Sequence, residues 1–236
     1  MRIDEMRRAS LAMLIATLFA PSGSAHAQPA AGAEIGVIER VSGEVAIVEG
    51  TSRAVSAGAA LRVGELVSTG RGGEALIRFR DESTMALRSD TQVRITEFSH
   101  QTPGSESFVS RLVKGTIRSV SGLIARARPR GVQYQTPTAT IGIRGTDLEI
   151  AIIPAGERDR AGIYNFVHDG STSMELAGQS LDVQREETGF APETPQAGEP
   201  ALLLLRERPA FLRGGGFDAL MLQVNRPVPL MPMFRR

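Results

Sequence analysis

Seven cationic side chains, Arg111, Lys114, Arg118, Arg126, Arg128, Arg130 and Arg144, fall within the 40 residues from Ser107 to Thr146, and no acid interrupts them. A guanidinium is a planar fork of five donors matched to carboxylates and phosphates, so the run has the chemistry of anion recognition. If alternating strand positions carry several of these side chains to one face, the result is a basic stripe. Such a stripe attracts an acidic partner domain, lipopolysaccharide phosphates or peptidoglycan carboxylates. The competing reading pairs each cation with an acid elsewhere in the fold and leaves no net field. Arg144 stands apart, inside Gly142-Ile143-Arg144-Gly145-Thr146. It either presents its fork to a ligand or ties neighbouring carbonyls or an acid together across a turn; the flanking glycines, which permit left-handed or closely packed backbone, favour the second.

Catalytic chemistry has little to stand on. The chain of 236 residues has no cysteine and only three histidines, of which His100 and His168 lack metal-ligand spacing. No G-x-S-x-G or H-E-x-x-H string occurs, and no Gly-Lys-Ser/Thr follows Gly70-Arg71-Gly72-Gly73 to make a phosphate loop. Acids are plentiful but scattered. With no nucleophile and base to name, the sequence reads as a non-enzyme that needs no metal or cofactor.

Lys+Arg 27 against Asp+Glu 26 gives a formal charge of +1, which argues against a nucleic-acid partner. Lys114 is the only lysine. Residues 1–27 have the form of a cleavable export signal: Arg2, Arg7 and Arg8, an apolar run from Leu11 to Ala20, then Ala25-His26-Ala27. The apolar run is too short for a membrane span, which needs about 20 residues. The expected product starts at Gln28 in the periplasm of a Gram-negative bacterium, with no membrane span after cleavage. Its charge is zero, so the +7 between Ser107 and Thr146 is matched by −7 outside it. Without cysteine in a disulfide-permissive compartment, stability must come from packing.

The elements that position these cations read as short strands. After a small-residue leader, 28–34, apolar alternation starts at Ile35 and is broken repeatedly by glycine. The pairs Ile77 and Phe79, Met85 and Leu87, and Val93 and Ile95 follow one another at a step of eight residues, bounded by Asp81-Glu82-Ser83 and Ser89-Asp90-Thr91. Period-2 alternation between polar turns is the pattern of half-buried strands, and the i, i+3, i+4 spacing of a helix is missing. The expectation is an all-β fold, many short strands in a compact meander or a solenoid-like β-roll. Within it, 122–131 reads as an exposed crossing and Asp169-Gly170 as a hairpin turn. From 186 to 236 proline and glycine recur, giving a mostly irregular tail over the domain with short helices expected at Ala201–Glu207 and Phe217–Val224.

The string Thr136-Pro137-Thr138-Ala139-Thr140-Ile141-Gly142-Ile143-Arg144-Gly145-Thr146 resembles the signature of the FecR protein domain family. Gly64-Glu65-Leu66-Val67-Ser68-Thr69-Gly70 is similar to its G-D-x-I-x-T segment, with Glu65 in place of Asp. Ala75 to Leu87 resembles its paired strands, with Glu82 in place of a turn glycine, so that turn is expected to adopt a conformation open to non-glycine residues. His168-Asp169-Gly170 and Ala177-Gly178-Gln179 are similar to the strands that close the domain, and the resemblance covers 35–185. It implies a secreted, stand-alone signalling or interaction module whose motif residues are Thr136, Pro137, Gly142, Ile143, Arg144, Gly145 and Thr146. The implied partner is an envelope protein, such as the signalling domain of an outer-membrane receptor; the rival is a scaffold that binds peptidoglycan or surface glycan. The family's cytoplasmic anti-sigma segment, with its paired tryptophans, and its transmembrane helix have no counterpart here.

Overall fold

The computed structural model describes residues 32–100, 103–213 and 216–221. Chain contacts divide the protein into Met1–Ala31 and Gly32–Arg236. Every described residue belongs to the second unit, and the export signal expected over 1–27 lies outside the described residues.

The alternating stretches do form strands. In chain order they are β1 (Glu34–Ser42), β2 (Val45–Glu49), β3 (Thr51–Ala54), β4 (Ala59–Arg62), β5 (Leu66–Thr69), β6 (Glu74–Phe79), β7 (Thr84–Leu87), β8 (Gln92–Ser99) and β9 (Ser107–Val120). A short helix, α1 (Leu123–Ala127), and one 3-10 turn, Pro129–Gly131, lead to β10 (Val132–Gln135), β11 (Thr140–Ile143), β12 (Asp147–Ile153), β13 (Gly162–Asp169), β14 (Ser171–Leu176), β15 (Gln179–Gln184), β16 (Thr188–Pro192) and β17 (Leu203–Leu205). Two short helices follow, α2 (Ala210–Arg213) and α3 (Gly216–Met221).

Backbone pairing sorts the strands into two sheets. Sheet A runs β4, β1, β6, β7, β9, β12, β13, β16, β17. Sheet B runs β3, β2, β5, β8, β9, β10, β11, β14, β15. All pairings are antiparallel except β9 with β10. The long strand β9 serves both sheets: Lys114 pairs with Gln92 in sheet B, and Gly115 with Ile152 in sheet A. It therefore runs along sheet B as far as Lys114, turns over at Gly115 and continues along sheet A. The two architectures left open by the sequence are combined. Hairpins such as β6–β7 lie within one sheet, as in a meander, and crossings then carry the chain to the other, as in a roll.

The reason is the apolar pairs. Ile77, Met85 and Leu87 of sheet A pack in one core with Ile47, Val93 and Leu112 of sheet B, each at most 1 % exposed. Burying such a side chain contributes about 1.5–3 kcal/mol, so a register slip that turned one strand over would forfeit several of these at once. Between β6 and β7, Glu82 takes a left-handed backbone, with φ +67°. That differs from the sequence expectation. The Asp81 carboxylate accepts hydrogen bonds from the Ser83 N–H and hydroxyl at 3.2 and 2.5 Å, and this Asx-type brace holds the turn in spite of the cost.

Three further expectations are corrected. Asp169-Gly170 is a crossing from sheet A to sheet B, because β13 and β14 pair with different sheets. The connection 122–131 is helical in part and buries Ile124 and Ala125. Ala201–Glu207 contains a strand, since Leu203 to Leu205 pair with Phe190 to Thr188. Sheet A thus continues past residue 185 through β16 and β17, and the tail beyond lays Leu212 and Phe217 on its outer face.

Candidate functional site

Register gathers the motif at one end of the two sheets. Val120 lies opposite both Thr84 and Asp147, Asp147 opposite Asp169, and Ile143 opposite Thr172. The turn 80–83, the connection 121–131, the loop 144–146 and the crossing at Gly170 therefore leave the sheets together. Ser121 and Thr146 are locked by a pair of hydrogen bonds, Ser121 N–H to the Thr146 carbonyl and Thr146 N–H to the Ser121 hydroxyl, both 2.9 Å. Ile143 is core. Gly145 has φ +64°, a conformation that favours glycine. Gly142 does not: a Cβ there would meet nothing closer than the Ser173 carbonyl at 4.0 Å. Thr136 and Pro137 sit at the opposite end of β10, where the Thr136 hydroxyl donates to the Ala139 carbonyl at 2.7 Å and accepts from its N–H at 3.0 Å.

The bracing role expected of the Arg144 side chain belongs instead to its main chain, whose N–H bonds the Ser171 carbonyl at 3.0 Å. The guanidinium is exposed and makes no ion pair among the described residues. Arg126, Arg128 and Arg130 project from the adjoining α1 connection, all exposed. Arg128 reaches only a main-chain oxygen, that of Glu106, at 3.4 Å.

The other three cations lie elsewhere, so the seven do not form one stripe. Arg111 stands on the outer face of sheet B and bonds Gln135 at 3.1 Å. Lys114 is exposed just before the turnover of β9. Arg118 follows that turnover, which places it on sheet A, 8 % exposed and bound to acids. While Asp147 and Asp218 hold it, this guanidinium has no nitrogen free.

Two ionic clusters occupy that outer face. Arg118 grips Asp147 with both arms, Nε to Oδ1 at 2.9 Å and Nη2 to Oδ2 at 2.7 Å, and gives Nη1 to Asp218 of α3 at 2.5 Å. Burial would lower its pKa, but the bonds and charge of Asp147, and then Asp218, hold it above the usual arginine range. Beside it the buried Glu149 meets His168 Nε2 at 2.7 Å and Arg208 at 3.2 Å, while the Arg208 guanidinium lies 3.8 Å above the Phe166 ring. Asp147 and Glu149 sit at alternate positions of β12, a pattern that reads as a solvated strand face until the tail covers it. Arg208 and Asp218 carry no sequence signal of their own. Among the described residues no three His, Asp or Glu side chains gather as metal ligands.

The family model described as FecR protein matches residues 65–180. These residues carry a FecR domain. No curated protein matches it. Two solved structures of a proposed anti-sigma factor from Parabacteroides distasonis ATCC 8503 are similar. One is 16 % identical with a TM-score of 0.46, covering 60 % of this chain and 59 % of that one. The other is 15 % identical with a TM-score of 0.47, covering 66 % of this chain and 64 % of that one. The chain thus spans about three fifths of the length of these structures.

The match to the FecR domain takes in the motif loop, the exposed arginines and both β12 acids, whereas β16, β17, α2 and α3 lie beyond it. Inside it, Tyr134 of sheet B ties the sheets together. Its hydroxyl donates to Ser119 of sheet A at 2.8 Å, and the Ser119 hydroxyl donates to the Thr84 carbonyl at 3.1 Å. Burial pushes the Tyr134 phenol above its usual pKa. The folded protein therefore keeps a proton that the unfolded chain loses near pH 10, and this group's contribution to stability is constant below that pH and falls as pH rises above it. In urea titrations between pH 8 and 11, Tyr134→Phe is expected to cost about 1 kcal/mol at pH 8 and to remove this part of the alkaline decline.

Proposed function

We propose that this FecR-domain protein is a non-catalytic interaction and signalling module of the cell envelope, exported to the periplasm. Its partner is an acidic face of an envelope protein, such as the signalling domain of an outer-membrane receptor. The observation that carries the reading is the end of the FecR domain where Arg126, Arg128, Arg130 and Arg144 stand exposed without an ion pair among the described residues. Four such cations keep their field for an incoming partner and speed its approach, an effect that salt screens.

The test is co-purification with the periplasmic domain of an outer-membrane receptor from the same genome. The triple variant R126E/R128E/R130E is expected to weaken binding at least tenfold with an unchanged melting curve, and binding should fall between 50 and 300 mM salt. Retention on purified peptidoglycan sacculi with no protein partner recovered would replace this reading with the glycan-binding scaffold. The mass of the chain recovered from the periplasm checks export, which should yield a product that starts at Gln28.

A further inference from the structure

The outer face of sheet A at β6 and β7 is apolar in its own right. Leu76 and Ala86 point away from the core that Ile77 and Met85 build, yet both are 0 % exposed, because Phe217, Leu220 and Met221 of α3 lie on them. Three features flank this apolar shelf. The Arg88 guanidinium stands 4.5 Å from the Phe217 ring centre. Arg118, with Asp147 already filling its other arm, offers Nη1 to a carboxylate from outside the sheet, and Asp218 takes it. A groove of about 900 Å³ continues from α3 past Thr84 and Val120 to Arg126.

The shelf and its flanking arginines lie within the matched FecR span, whereas α3 lies beyond it. At six residues α3 is far too short to persist as a helix by itself, so the shelf holds it in shape. It begins at Gly216, and glycine loses more freedom on ordering than any other residue. The Asp218 side chain is 62 % exposed, and an ion pair so open to water is weakly held.

We propose that this shelf is a docking surface for a longer helix of a partner protein, one that carries an aromatic residue next to an acid, and that α3 occupies it in cis until the partner displaces it. The aromatic ring takes the place of Phe217 beside Arg88, and the acid takes Nη1 of Arg118. A helix longer than α3 gains the rest of the groove and a further acid can reach Arg126. That extra contact favours the partner over the tethered α3, which otherwise benefits from its high effective concentration.

A labelled 16-residue peptide tests the inference. It is built on Phe-Asp-Ala-Leu-Met with two added glutamates one and two turns along the same face, and it is titrated against the full chain and against F217A/D218K, which releases α3. The peptide is expected to bind the variant at least tenfold more tightly than the native chain and to protect the amides of β7 from hydrogen exchange. Changing its Phe-Asp to Ala-Lys should abolish binding. If F217A/D218K melts early, D218K alone serves, with a smaller gain expected. Equal affinity for both chains, or no binding to a folded variant up to about 1 mM, overturns the proposal and leaves α3 as a fixed part of the fold. Arg128→Glu with Arg130→Glu should leave peptide binding unchanged, which separates this surface from the arginine end.

Discussion

Arg118→Ala lowers the stability of the FecR domain by about 3 kcal/mol in urea unfolding, the scale for removing one member of a largely buried ion pair. Two carboxylates lose their partner at once. Asp147 loses both bonds to the guanidinium, and Asp218 loses the contact that anchors α3. The cost comes mainly from the acid left behind in a poorly solvated position, so removing that acid too should relieve it. R118M/D147L is expected to recover most of the loss, because a paired apolar replacement leaves no uncompensated charge. If instead the single change costs under 1 kcal/mol, the cluster behaves as a surface ion pair and the outer face of sheet A is open to water.

Gly115→Ala is expected to cost about 3 kcal/mol or more, from two sources that add. The position has φ +86°, where a residue with a Cβ is strained by roughly 1–2 kcal/mol. The added carbon would also stand 2.5 Å from the Thr91 Cα and 2.8 Å from its Cβ, so backbone must move, and overpacking of this kind costs about 1–3 kcal/mol. Thr91 cannot yield easily. It is fully buried, its hydroxyl bonds both the N–H and the carbonyl of Thr116, and its N–H bonds Thr69. Gly142→Ala is the control: with 4.0 Å to the nearest atom, it should shift the urea midpoint little. Equal effects at the two glycines would mean that β9 does not turn over where the structure places it.

These two residues also mark how far the sequence could be read. The pairs Ile77 and Phe79, Met85 and Leu87, and Val93 and Ile95 are legible as strands because alternation is a local property, and all six point inward or pack on the core. The FecR motif was legible as a string. Its geometry was not. Glycines 142 and 145 look equivalent in the sequence, but only Gly145 takes a left-handed backbone. The turn signal at Asp169-Gly170 is the same for a hairpin and for a crossing between sheets, and only strand pairing separates them. Leu203 to Leu205 could close either a helical turn or a sheet edge; β16 decides for the edge.

By itself the amino-acid sequence determined an all-β chain with a FecR signature and a run of cations, because strand period, turn residues and motif order are written in neighbouring positions. Tertiary structure alone decided which cations are free. Gly115 turns β9 from one sheet to the other, so Arg111 and Arg118, seven residues apart on one strand, end on the outer faces of different sheets. Arg118 is then claimed by Asp147 and by Asp218, the latter 100 residues away. Arg126, Arg128, Arg130 and Arg144 stay exposed and outside any ion pair because the loops that carry them leave the sheets at an end where no acid pairs with them among the described residues.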